Sequence, residues 1–102
     1  MRLRESRRAQ ADIVEIVRYG AENFGPVRAK AYLERIERRY RQLQDFPESE
    51  RPDEELHPGV RSISCGSHRI FYSVDDMGIL VRRVLHMAAD AKRWLERENL
   101  PT

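Results

Sequence analysis

Cysteine is nearly absent from this sequence, and its scarcity excludes two kinds of architecture. A single Cys65 permits neither an internal disulfide nor a zinc site built on several thiolates. Long apolar runs are also missing, which argues against a bilayer-spanning helix or a secretory leader and leads us to expect a soluble, cytoplasmic protein without a membrane partner. No glycine-rich phosphate loop, no histidine pair at helical spacing and no nucleophile elbow occurs. We therefore assign no cofactor, no metal ligand and no catalytic residue. Net charge is scarce too: at +2 it does not by itself imply nucleic-acid binding.

What remains is an ordinary globular mixture. With 102 residues, 40% hydrophobic and 35% charged, the chain suits one domain spanning 1–102. Its basic residues are almost all arginine, the lysines being Lys30 and Lys92. Arginine's planar fork suits carboxylate and phosphate partners. Charge is also segregated. The stretch Arg28 to Arg41 is basic, whereas Glu48 to Glu55 is acidic.

Residues Met1 to Glu5 alternate weakly around Leu3, as a short strand does. Ser6 is placed to N-cap a helix whose inner face reads Ala9, Ile13, Ile16, Val17, Gly20 and Phe24. Gly25 and Pro26 end that helix and open another. The second carries the stripe Ala29, Tyr32, Leu33, Ile36, Tyr40, Leu43 and Phe46, with arginines opposite and Pro47 as its stop. So short a connection makes an antiparallel helix hairpin. After a proline-rich acidic loop to Gly59, the hydrophobic period changes to two. Val60 to Cys65, His68 to Asp75 and Ile79 to His86 read as strands, separated by the turns Gly66-Ser67 and Asp76-Met77-Gly78.

The expected fold is thus α+β: an N-terminal strand, a helix hairpin on a small antiparallel sheet (a three-stranded meander plus the N-terminal strand), and a short C-terminal helix over Met87 to Glu98. Alternation sets Ile70, Tyr72 and Val74 against Phe71, and sets Ile79, Val81 and Leu85 against Leu80 and Val84. Arg82 and Arg83 should then straddle the sheet. One helical layer covers one sheet face, so apolar residues on both call for a second cover: the C-terminal tail, an oligomer mate or a partner. Cys65, in a strand beside a turn, reads as an inert side chain. His57 reads as solvated, and His68 and His86, near strand ends, as structural.

These residues together resemble a ParE toxin of the ParE/RelE superfamily, from Leu3 to about Leu95. The resemblance rests on Ala11-Asp12-Ile13, Ile16-Val17, Phe24-Gly25, Ala31-Tyr32, Leu43 and Phe46-Pro47 in the helices. In the sheet it rests on Pro58-Gly59-Val60-Arg61, Gly66-Ser67-His68-Arg69-Ile70-Phe71-Tyr72 and Arg83-Val84-Leu85-His86 with Asp90. It implies a non-enzymatic toxin that poisons DNA gyrase and is neutralised by a ParD-like antitoxin, whose C-terminal segment wraps the toxin. Operator DNA is then contacted only through the antitoxin. The partner-binding residues expected on this reading are Arg35, Arg39, Arg61, Arg69, Phe71, Arg82, Arg83, His86 and Trp94.

Two alternatives follow from the same resemblance: a RelE-like ribosome-dependent mRNA endonuclease, and an inactive module that only binds antitoxin. The nuclease branch has lysines before the second strand of the fold, an arginine in the middle strand of the meander, and an arginine and a tyrosine after the last strand. Here Arg69 matches, but the lysine region reads Asp53-Glu54-Glu55 and the later positions read Ala88-Ala89 and Leu95. The chain also departs from the ParE pattern in having Met87-Ala88-Ala89 before Asp90, where polar or basic residues are usual. That departure bears on the strength of its action on gyrase and leaves the fold untouched.

Overall fold

A computed structural model describes residues 1–53 and 56–97, with the side chains of 96 and 97 left aside. The expected helix end at Glu98 and the acidic pair Glu54-Glu55 lie outside the described residues. The elements run β1 (Leu3–Glu5), α1 (Arg7–Phe24), α2 (Pro26–Asp45), β2 (Arg61–Cys65), β3 (His68–Asp75), β4 (Gly78–His86) and α3 (Ala91–Arg97). This is the expected α+β layout.

Ser6 caps α1 as its position suggests, its hydroxyl accepting from the Ala9 amide at 3.0 Å. Gly25, at φ 87°, ends α1 and precedes Pro26, the first residue of α2. A Cβ built on Gly20 would meet that of Ala29 at 3.4 Å, which fixes the two helices as a close antiparallel pair. Phe24 and Phe46, placed by periodicity on the inner stripes, are instead 58% and 64% exposed. Both stand at helix ends, where the chain reverses and no sheet lies beneath.

The sheet has four strands in the order β1-β4-β3-β2. The meander is antiparallel, but β1 pairs parallel with β4, so the sheet is mixed rather than wholly antiparallel. The physical reason lies at Ser6. Its amide bonds the Val81 carbonyl at 2.9 Å and its hydroxyl donates to the Arg82 carbonyl at 2.7 Å, so the chain leaves β1 for α1 while still tied to β4. With Leu3 opposite Ile79 and Glu5 opposite Val81, only a parallel run brings it there.

A β-bulge decides which residues face which layer. Tyr72 pairs with Val81, but Phe71 pairs with Arg83, so Arg82 is an extra residue in β4. Simple alternation is therefore wrong beyond it. Val84 joins Ile79, Val81, Ile70, Tyr72 and Ile63 in the core beneath the helices, and Leu85 turns to the opposite face. There it meets Val60, Phe71 and Leu95 in a second, smaller core. The bulge also corrects the expected straddle of the two arginines. Arg82 Nε donates to Ser73 Oγ at 3.0 Å, and Arg83 sits opposite Phe71, so both belong to that second face.

The second cover is thus supplied, at least over this patch, by the chain's own tail. Helix α3 starts at Ala91, not at Met87, because Asp90 caps it: its side chain accepts from the Arg93 amide at 3.2 Å. Leu95 is fully buried against Phe71, whereas Trp94 stays 36% exposed and Met87 remains outside the helix.

Candidate functional site

Three regions of the surface bring functional groups together. The first is a cleft of about 590 Å³ at the mouth of the helix hairpin. Its apolar wall comes from Ile16, Tyr19 and Gly20 of α1, with Phe24 at the tip and Ala29 of α2. Tyr32, Ser67, His68 and His86 form its polar side, while Glu15 and Arg28 stand at the rim. Tyr19 and Phe24 are exposed and touch edge to face, with ring centroids 6.4 Å apart.

Chain geometry assembles the polar side. Gly66, at φ 59°, makes a turn so tight against Tyr32 that a Cβ there would lie 2.7 Å from the tyrosine ring. The Tyr32 hydroxyl donates to the Cys65 carbonyl at 3.0 Å and accepts from the Ser67 amide at 3.1 Å. Its oxygen also lies 2.6 Å from His68 Nδ1, a hydrogen bond that either group can donate. Across the sheet His86 Nδ1 accepts from the Ala88 amide at 3.0 Å, so neutral His86 carries its proton on Nε2. The two imidazoles meet edge to face at 5.4 Å. Sequence reasoning assigned His86 to partner binding but read His68 as structural and Tyr32 as core. The signal for the cluster is the inward Tyr32, whose hydroxyl needs a partner near a glycine turn.

His68 titrates below the ordinary imidazole value of 6.5 because burial, and then the neighbouring His86, disfavour its cation, with Asp12 opposing both. The unfolded chain therefore takes up this proton first on acidification. Folding stability from this residue is complete above about pH 6.5 and is lost as the pH falls below it. Urea midpoints measured from pH 7.5 to 5 should decline for the wild type and decline less for His68→Gln. Parallel curves would place the pH dependence elsewhere.

The second region is the flank of α2. Arg35, Arg38, Arg39 and Gln42 line a shallow basic cleft, with Gln42 accepting from Arg39 at 2.8 Å. Burial pushes the nearby Cys65 thiol pKa upward, and Arg35, Arg39 and Arg38 partly oppose it, so the thiol stays protonated and inert.

The third region is the second sheet face. Arg83 is buried, its Nε and Nη2 each 2.8 Å from the Asp12 carboxylate, and its guanidinium carbon lies 5.1 Å from the centre of the Trp94 ring. Asp12 also accepts from the Val84 amide at 2.9 Å, taking over the β4 edge where β1 has ended. Arg69 donates to Ser62 Oγ at 2.9 Å through Nη2, and Arg61 donates to the Glu50 carbonyl.

The expected partner-binding residues accordingly divide. Arg35 and Arg39 lie together on α2. Arg69, Phe71, Arg82, Arg83 and Trp94 share the second face, with Phe71 and Arg83 buried there and so presenting little surface while α3 is in place. His86 belongs to the cleft, and Arg61 is held by the loop. Among the described residues no group of three or more histidine, cysteine or acidic side chains could hold a metal ion, and no helix is long and apolar enough to cross a membrane.

Comparison with known proteins now gives this geometry a family. A family model described as the ParE toxin of the type II toxin-antitoxin system, parDE, matches residues 3–91. Toxin ParE1 of Caulobacter vibrioides is 34% identical over 92 residues, spanning 90% of this chain and 95% of that protein. Toxin ParE1 of Mycobacterium tuberculosis is 35% identical over 88 residues, spanning 85% and 90%. A solved structure titled as the chromosomal ParDE TA system from P. aeruginosa superposes with a TM-score of 0.74 at 26% identity, over 84% of this chain and 95% of that one. From its first strand to the start of its last helix, the chain belongs to the ParE toxin family of type II toxin–antitoxin systems.

Proposed function

We propose that this toxin inhibits DNA gyrase without being an enzyme, and that a ParD-like antitoxin neutralises it by laying a segment over its surface. On this reading the chain acts as one cytoplasmic domain, and operator DNA is reached only through the antitoxin. Arg35, Arg39, Arg61, Arg69, Phe71, Arg82, Arg83, His86 and Trp94 contribute to partner binding, some of them by holding the surface in shape.

The observation that most favours a binder over the nuclease branch is where the basic groups sit. RNA cleavage through a ribose hydroxyl needs a base, an acid and phosphate-neutralising cations converging on one point. Arg69 lies on the second face, bonded to Ser62, whereas His68 and His86 line the cleft beside the helices. Asp53 occupies the region where that branch has lysine. The titratable groups therefore do not converge with Arg69.

Purified gyrase supercoiling assays, run beside a ribosome-dependent mRNA cleavage assay, test the proposal. Inhibition of supercoiling with intact mRNA is expected. Cleavage of mRNA without any effect on gyrase would assign the chain to the nuclease branch.

A further inference from the structure

The sheet ends in an open edge. β2 is the outermost strand, and its closing pair with β3 across the Gly66-Ser67 turn is Cys65 with His68. In a two-residue hairpin that pair is hydrogen-bonded, so Cys65, Ile63 and Arg61 direct their backbone groups toward β3. The alternate residues Val60, Ser62 and Ser64 direct theirs outward. Val60 confirms the phase: its amide bonds the His57 carbonyl at 3.1 Å and its carbonyl accepts from Asp53 at 2.8 Å, both from the loop. For Ser62 and Ser64 no such partner exists among the described residues. The strand carries none of the usual blocks to edge pairing, being free of proline and lysine and having small serines on one face.

Both sides of this edge are basic. Tyr40, on one flank of α2, bonds Glu5 of β1 at 2.8 Å; the opposite flank, toward β2, carries Arg35, Arg38 and Arg39. None of these three has a carboxylate within 4.0 Å among the described residues. On the other face the Arg69 guanidinium reaches across to Ser62.

We propose that the β2 edge takes up an extended acidic segment of the ParD-like partner as a fifth strand, its backbone pairing with Ser62 and Ser64. Its side chains alternate between Arg35 and Arg39 on the helix side and Arg69 on the other. This deepens the proposed function and rests on it. Strand addition gives affinity through the main chain, and alternate side chains give specificity. A second copy of β2 is the poorer occupant, because edge-to-edge pairing would bring two identical sets of arginines together.

The test uses the full-length toxin and, as probe, a purified ParD-like antitoxin, the partner class proposed above. Ser64→Pro removes the outward amide and obstructs an incoming strand while leaving the β2–β3 ladder intact. It should weaken binding by roughly 10–100-fold, as loss of a hydrogen bond plus steric exclusion implies. Ser64→Ala, which keeps the amide, should bind like the wild type. Hydrogen exchange on the unmodified complex gives a second reading: the Ser62 and Ser64 amides should exchange quickly in the free toxin and slowly in the complex. Wild-type affinity in Ser64→Pro, equal losses in both variants, or unprotected edge amides would overturn strand addition alone. A free toxin that sediments as a dimer, and that Ser64→Pro renders monomeric, would overturn it in favour of self-pairing. Failure of the wild type to bind the probe would overturn the antitoxin reading as well.

Discussion

Asp12→Ala should cost about 3–5 kcal/mol of folding stability, the usual loss when one partner of a buried ion pair is removed. The side chains of Arg83 and Asp12 are only 8% and 14% exposed, so little solvent screening reduces the effect. The deletion acts at two points. The Arg83 guanidinium loses both bonds to the carboxylate, and the Val84 amide loses the acceptor that closes the β4 edge beyond β1. Asp12→Asn keeps an acceptor for Val84 and loses only the charge, so it should fall between the alanine variant and the wild type. Denaturant midpoints at constant slope measure the series. A loss under about 1 kcal/mol in Asp12→Ala would mean that the pair contributes no more than an exposed one does.

Removal of the chain from Ala91 onward is expected to have a comparable effect and to act on function too. Leu95 is fully buried, and its loss opens the small core of Val60, Phe71 and Leu85 to water. Truncation of one such leucine to alanine costs about 2–5 kcal/mol, and losing the whole helix also strips Trp94 from Arg83. The shortened protein should therefore melt early or aggregate through the exposed face. Leu95→Ala separates packing from recognition. It should reproduce most of the stability loss, whereas Trp94→Ala, at a partly exposed position suited to an interface anchor, should mainly weaken action on gyrase. A shortened protein that melts like the wild type and inhibits gyrase with equal potency would contradict both roles of this helix.

Much of the architecture was legible because it rests on local chemistry. Ser6 announced a helix start, Gly25-Pro26 a hairpin, and Gly66-Ser67 a strand turn, each through a residue whose backbone preference needs no distant partner. What escaped depended on contacts far apart in sequence. The parallel docking of β1 is fixed by Ser6 bonding residues at Val81 and Arg82. Phe24 and Phe46 fit the apolar period, but a period cannot say where the sheet beneath a helix ends. The cleft escaped for a similar reason: Tyr32 meets His68 and the Ser67 amide only after the helices fold onto the sheet. Of the partner-binding set, the basic character of α2 could be read directly. The burial of Phe71 beneath Leu95 could not, since it depends on how α3 docks.

The extra residue at Arg82 works as a change of parity. Up to Val81, opposed positions on β3 and β4 have numbers that sum to one constant; past Arg82 the constant rises by one. Counted without that shift, His68 would stand opposite Leu85, and the imidazole pair would not exist. The meeting of His68 and His86 therefore depends on the bulge absorbing Arg82, not on the identity of any side chain along the strand. Substituting Arg82 leaves that count untouched. Deleting it would close the bulge and leave Val84 facing the core, Leu85 the second face and His68 opposite His86.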